Sequence, residues 1–70
     1  MRSVLNYCTH VQERLLAMEE DVRSQQDDRS LLQWFGDTGA ASNAVSAALM
    51  NDSGKAMRLA EPIADRWQII

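Results

Sequence analysis

The chain has little of what usually stabilises a small protein or gives it a reactive site. Its 70 residues include one cysteine and one histidine. A single cysteine cannot form a disulfide within the chain, and one cysteine with one histidine falls short of a zinc ligand set. A domain of this size buries only about 60% of the surface that its unfolded chain exposes. We therefore expect stability from helix packing or self-association, with no metal and no cofactor.

Basic residues and long apolar runs are also scarce. Seven Lys and Arg stand against ten Asp and Glu, giving a formal charge of −3. The basic residues are scattered, which argues against nucleic acid as a partner because non-specific binding relies on clustered positive charge. Apolar runs such as residues 47–50 are far shorter than the roughly 18 residues of a spanning helix, and no signal-peptide core is present. The expectation is a cytoplasmic protein with no membrane partner.

The strongest pattern lies in the first third of the chain, where six apolar residues are spaced alternately by four and three positions. This spacing predicts an amphipathic helix with one narrow apolar line, which we call the N-terminal seam. Ser3 is the expected N-cap of that helix. The seam consists of Val4, Cys8, Val11, Leu15, Met18 and Val22.

A second apolar group follows a polar stretch, and its position predicts a bend. In a straight continuation of the helix, Leu31, Trp34 and Phe35 would lie about 170° around the axis from the seam. Either the chain bends between residues 25 and 28, which we favour, or this group faces a different surface. Asp27 or Asp28 could cap a new helix after such a bend.

Glycine and proline divide the rest of the chain. The tetrapeptide Gly-Asp-Thr-Gly at 36–39 predicts a loop, followed by a helix over 40–51 that Ser53 and Gly54 end or interrupt. Residues 55–70 form an amphipathic segment, in which Pro62 predicts a kink or the start of a new helix. No strand-like alternation is present. The predicted fold class is all-α, one domain over 1–70, as a helical hairpin or a three-to-four-helix bundle completed by dimerisation.

Catalytic chemistry finds no support in the sequence. Cys8 and His10, two positions apart on a helix, point about 200° away from each other and cannot form a dyad there. Cys8 lies on the seam, where a free cysteine behaves as a small buried apolar residue, and His10 projects to the polar side. The expectation is a protein without enzymatic activity.

Two classes of function stay open. One is a small acidic helical protein that binds another protein, as an adaptor, inhibitor or chaperone-like regulator, and forms a homodimer. The alternative is a small DNA-binding transcriptional regulator with a helix-turn-helix-like pair at 40–60. We expect the first helix to pack antiparallel against the last segment, bringing Trp67 near Cys8 and Ile63 near Val11. The partner or dimer surface is predicted to use Val4, Val11, Leu15, Met18, Val22, Leu31, Trp34, Phe35, Trp67 and Ile70.

Overall fold

A computed structural model describes residues 3–70, and this part of the chain is all-helical. The segments are α1 (Val4–Ala17), α2 (Glu19–Ser24), α3 (Asp28–Leu49) and α4 (Ser53–Arg66). The three longer helices, α1, α3 and α4, pack side by side in a bundle of 38 × 19 × 15 Å, with the short α2 at one end. The predicted all-α class is confirmed in the described residues.

α1 and α4 run parallel to each other, and α3 runs antiparallel to both. The Cys8 thiol donates to the carbonyl of Ala56, near the start of α4, at 3.9 Å. At the far end of α4, Arg66 and Trp67 both bind Asp37 in α3. The expected antiparallel packing of the first helix on the last is wrong. Each short connection reverses the chain once, and two reversals leave the outer helices parallel.

The ends of the helices follow the capping residues of the sequence. The Ser3 hydroxyl accepts the Asn6 N–H at 3.0 Å, as predicted for the start of α1. The predicted bend at 25–28 is confirmed, because Gln26 has a φ of 54° and separates α2 from α3. The Asp27 carboxylate then caps α3 by accepting the Arg29 N–H at 3.1 Å.

The seam helix does not reach Val22 in one piece, as the spacing had indicated. α1 ends at Ala17 and α2 begins at Glu19. At this break the Leu15 carbonyl accepts the Met18 N–H at 3.0 Å, a tight terminal turn. Val22 nevertheless remains buried, so the seam keeps its direction across the break.

α3 passes through residues 36–39 without a loop, and the prediction of a loop there is wrong. Neither glycine of that stretch adopts a positive φ, so both accept ordinary helical geometry. Asp37 points into the bundle, where the side chains of Arg66 and Trp67 donate to it. The two glycines favour a loop locally, but a continuous α3 helix places the Asp37 carboxylate against its hydrogen-bond donors, and these contacts favour the helix.

The predicted helix over 40–51 is the second half of α3. The chain reverses at Asn51, whose φ is 61°, and Asp52 caps α4 by accepting the Lys55 N–H at 3.2 Å. The predicted interruption between two helices is present, but it lies at residues 50–52, and residues 53–54 begin α4. α4 also runs continuously across Pro62, so no new helix starts at the proline.

The core consists of two adjoining clusters of buried side chains. One is built mainly of larger residues and includes Val11 and Ile63, which had been predicted to lie near each other. The other is rich in alanine, which lets the helices approach closely around Cys8. Every buried side-chain nitrogen and oxygen in residues 3–70 has a hydrogen-bond partner. The bundle thus satisfies its own core polar groups.

Candidate protein-binding surface

The ten residues predicted for a partner surface fall into three groups by burial. The core takes Val11, Leu15, Val22 and Trp34. Half-buried positions between helices hold Val4, Met18, Leu31 and Trp67. Exposed to solvent are Phe35, by half of its surface, and Ile70. The helices of the bundle itself cover most of the N-terminal seam, so in this structure a partner would meet Phe35 and Ile70 first.

The outward face of α3 carries a line of exposed residues that we call the α3 stripe. Its large members are Leu32, Phe35 and Leu49, with 71%, 50% and 64% of their surface exposed. The spacing alternates between three and four positions over 17 residues, about 26 Å of helix. The stripe lies roughly 165° around α3 from the buried side chains. Its six members are Leu32, Phe35, Gly39, Ser42, Ser46 and Leu49.

Sequence analysis missed this stripe because it placed a loop at 36–39. That loop would have contained Gly39 and separated the first two members from the last three. The signal was present as a regular spacing of three and four that crosses the supposed loop. It becomes one surface only when α3 is continuous, and the contacts of Asp37 decide that.

Phe35 is the best-supported side chain of the stripe. The Arg23 guanidinium lies over its ring, 5.7 Å from the centroid, and the Glu19 carboxylate accepts from Arg23 at 3.0 Å. Trp34 meets the ring edge-on, with centroids 5.2 Å apart. Leu16 lies beside Arg23 in a shallow hollow and extends the apolar surface toward α1. The exposed ring is thus oriented by its neighbours before any partner arrives.

Asp37 is the buried polar centre of the bundle. Its carboxylate accepts from Arg66 at 2.7 Å, from the Trp67 indole at 2.7 Å and from Gln33 at 3.1 Å. Three donors occupy its oxygens, so it is not poised to take a proton from a substrate. The cluster instead fastens the end of α4 to the middle of α3.

An open groove of about 940 Å³ lies between Tyr7, residues 57–65 of α4 and the C-terminal residues. Burial, with a further contribution from the Glu61 carboxylate, raises the pKa of the Tyr7 hydroxyl. His10 Nε2 donates to the carbonyl of Ile70 at 2.7 Å, which holds the residues after α4 against α1. The phenol therefore stays protonated near neutral pH, and the groove offers a mixed surface without a reactive group.

The other two side chains considered for reactivity, Cys8 and His10, are both held in contacts within the bundle. Burial raises the pKa of the Cys8 thiol, so it stays protonated, and it lies in the alanine-rich cluster. His10, predicted to project to the polar side, is half-buried and bound to Ile70. Within residues 3–70, no group of three His, Cys, Asp or Glu side chains is placed to hold a metal ion. No helix of the described part is long and apolar enough to cross a bilayer.

The pair α3 and α4 does not have the crossing of a helix-turn-helix motif. Near their connection Ala47 and Ala56 share a core cluster, and at the other end Asp37 binds Arg66. The two helices therefore run side by side over about 15 Å. Helices of a helix-turn-helix pair diverge at about 90–120° from their turn. The predicted pair at 40–60 is an antiparallel hairpin.

Comparison with protein-family models, with curated proteins and with solved structures finds no match for this chain. Among the surfaces described above, the α3 stripe combines large exposed apolar side chains with a rigid helical support. The groove and the Asp37 cluster lack this combination.

Proposed function

We propose that this chain is a small non-enzymatic module that binds another protein through the α3 stripe. The observation that carries the proposal is Phe35, a half-exposed ring held by Arg23 and Trp34 on a continuous helix. Large apolar groups in line on a surface are typical of interaction sites, and aromatic residues often anchor them. Leu32 and Leu49 extend the line on either side of the small residues.

The proposed mode of binding is helix against helix. A spacing of three and four along 26 Å, an estimate from the helical rise, matches the period at which one helix packs against another. Such a module could act as an adaptor, an inhibitor or a chaperone-like regulator, since each needs a binding face and no catalytic group. We place this acidic module in the cytoplasm as part of the same proposal.

Site-specific photo-crosslinking tests this proposal. Phe35 is replaced by a benzoyl-phenylalanine, and an extract of the native host is irradiated with the labelled chain. The matched control carries the same group at Asp65, which is exposed on α4. We expect a covalent adduct with a protein chain from Phe35 alone, identified by mass spectrometry. Adduct yields that are equal at the two positions, or absent from both, would overturn the proposal.

A second variant checks that the adduct depends on the stripe. Leu32→Asp places a charge next to Phe35 on the same face and should abolish the adduct. Leu32 is 71% exposed, so the helical content measured by circular dichroism should not change. An adduct that persists in full in Leu32→Asp would show that the ring reacts without specific docking.

A further inference from the structure

The net charge of the chain is concentrated at the end of the bundle where the α3 stripe begins. Residues 19–29, which comprise α2, the bend and the start of α3, carry five carboxylates and two guanidinium groups, all exposed. The remaining residues carry five acidic and five basic side chains, so the whole formal charge of −3 belongs to this short stretch. This end of the bundle therefore attracts positively charged groups, whereas the rest of the chain has no net charge.

Asp28 extends the α3 stripe by one helical turn with a carboxylate. It lies four positions before Leu32, and at 100° per residue its direction is about 20° around the helix from that of Phe35. Arg29, the next residue, lies to another side, because it lines a hollow with Arg66 at the end of α4. The two neighbouring charges therefore do not cancel on the stripe. The carboxylate is in line with the apolar side chains, and the guanidinium is beside α4.

Glu20 provides a second carboxylate at the edge of the stripe. It lines the same shallow hollow as Leu16, whose surface is 48% exposed. The Arg23 guanidinium of this hollow is already paired with Glu19, at 3.0 Å. Within residues 3–70 the structure shows no ion pair for Glu20 or Asp28. Two exposed carboxylates of the described part thus border large apolar side chains without a basic side chain bound to them.

The other end of the stripe has no charge. Between residues 30 and 51 the one charged side chain is Asp37, which is buried and bound by its donors. The exposed positions from Phe35 to Leu49 are therefore uncharged. A partner that covers the whole stripe meets negative charge at one end and none along the rest.

We infer that the α3 stripe binds a basic amphipathic helix of another protein. The apolar side chains of that helix, spaced by three and four, pack on Leu16, Leu32 and Phe35. Its lysine or arginine side chains are confined to one end, where they meet Glu20 and Asp28. Opposite charges at the edge of an apolar contact fix the direction of the bound segment and raise the rate of encounter. The inference rests on the proposed function and names the chemistry of the partner. A second copy would bring its own stripe, which carries no basic side chain.

Titration of the ¹⁵N-labelled chain with two synthetic peptides tests the inference. Both peptides are amphipathic helices of about 20 residues, with leucine and alanine spaced by three and four. One carries lysines at one end of the helix, and the other carries glutamates at the same places. We expect the lysine peptide to shift the amide signals of α2 and α3 most, with a dissociation constant at least about tenfold below that of the glutamate peptide. Equal affinities, shifts confined to other helices, or no binding of either peptide would overturn the inference.

Paired charge removals locate the acidic contact. Glu20→Gln together with Asp28→Asn should weaken binding of the lysine peptide about tenfold, and added salt should reduce this difference. Glu61→Gln together with Asp65→Asn removes the same charge from exposed positions of α4 and should change the affinity less than about twofold. Circular dichroism checks that both double variants are folded. Equal losses in the two would mean that net charge alone attracts the peptide, which contradicts the inference.

The photo-crosslink at Phe35 separates this inference from the proposed function. We expect the adduct to map to a helical segment of the partner with lysine or arginine toward one end. An adduct with a segment that has no basic side chain there would overturn the inference and leave the proposed function standing. An adduct between two copies of this chain would also overturn the inference.

Discussion

The indole nitrogen of Trp34 donates a hydrogen bond of 2.7 Å to the main-chain carbonyl of Leu15. In an uninterrupted helix that carbonyl accepts the N–H four residues later, from Glu19. Here the indole and the Met18 N–H occupy it, and α1 ends at Ala17. A side chain that enters the hydrogen-bond ladder is a recognised cause of helix breaks. The contact joins α3 to the point where the first helix is interrupted.

Trp34→Phe should destabilise the protein by about 2 to 3 kcal/mol, because it removes this hydrogen bond and leaves unfilled volume in the core. Urea unfolding followed by circular dichroism measures the change. Phe35→Leu is the matched control, with an expected cost below about 1 kcal/mol since the ring is half-exposed. Equal costs for the two variants would contradict the role given to the indole.

Asp37→Asn should cost about 2 kcal/mol of the free energy of unfolding. The variant loses the buried negative charge that strengthens the hydrogen bonds from Arg66 and Trp67, both of which end on Oδ2. Arg66→Gln should cost less than about 1 kcal/mol, because the Arg66 side chain is 44% exposed and solvent screens its charge. Thermal and urea unfolding of both variants provide the test. An Arg66 variant as unstable as the Asp37 variant would be inconsistent with this cluster.

Gly36→Ala should stabilise the chain by about 0.5 to 1 kcal/mol. Gly36 is inside α3 without a positive φ, and an added Cβ would find no atom within 4 Å. Urea unfolding followed by circular dichroism measures the change. Gly54→Ala should gain less, because it lies in the first turn of α4 with Arg58 Nη1 at 3.4 Å from the added Cβ. A loss of stability in Gly36→Ala would mean that α3 needs a glycine at this point.

Pro62→Ala should preserve the fold and stabilise α4 by about 1 to 2 kcal/mol. Pro62 is exposed inside a continuous helix, where it cannot donate to the carbonyl of Arg58. Alanine restores that donor, although the unfolded chain gains conformational freedom and offsets part of the benefit. Urea unfolding measures the change in stability, and the circular dichroism signal shows whether the helical fold is preserved. Loss of folding would show that the proline is required.

Alkaline pH should destabilise the protein in part through Cys8. Burial raises the pKa of its thiol above the ordinary value of 9.0. The folded state therefore holds the proton more tightly than the unfolded state. The resulting stabilisation is fully present below pH 9 and is lost as the pH rises from there through the folded-state pKa. The urea midpoint, measured from pH 7 to 11, should fall less steeply with pH in Cys8→Ala than in the wild type. The Tyr7 phenol, whose pKa is also raised by burial, makes a similar contribution, which the Tyr7→Phe variant isolates.

Local signals in the sequence predicted the features that depend on neighbouring residues. The apolar spacing predicted the helices, Ser3 predicted the start of α1, and the polar stretch predicted the bend at 25–28. These features arise within a few residues along the chain, through side-chain caps and helical periodicity. The candidate surface could be predicted only in part from such local signals. Of the two neighbours predicted for a partner surface, Phe35 is half-exposed, whereas Trp34 is buried.

The sequence by itself determined an all-α chain, with Ser3 as the N-cap of the first helix, a bend at 25–28 and an amphipathic last helix. Only the tertiary structure decided that α1 stops at Ala17, that α3 crosses 36–39 and that α4 runs parallel to α1. The deciding hydrogen bonds join Trp34 to Leu15 and Asp37 to Trp67, over 19 and 30 positions of chain. A window of neighbouring residues cannot register such contacts, because their energy is gained only when distant helices have already packed together.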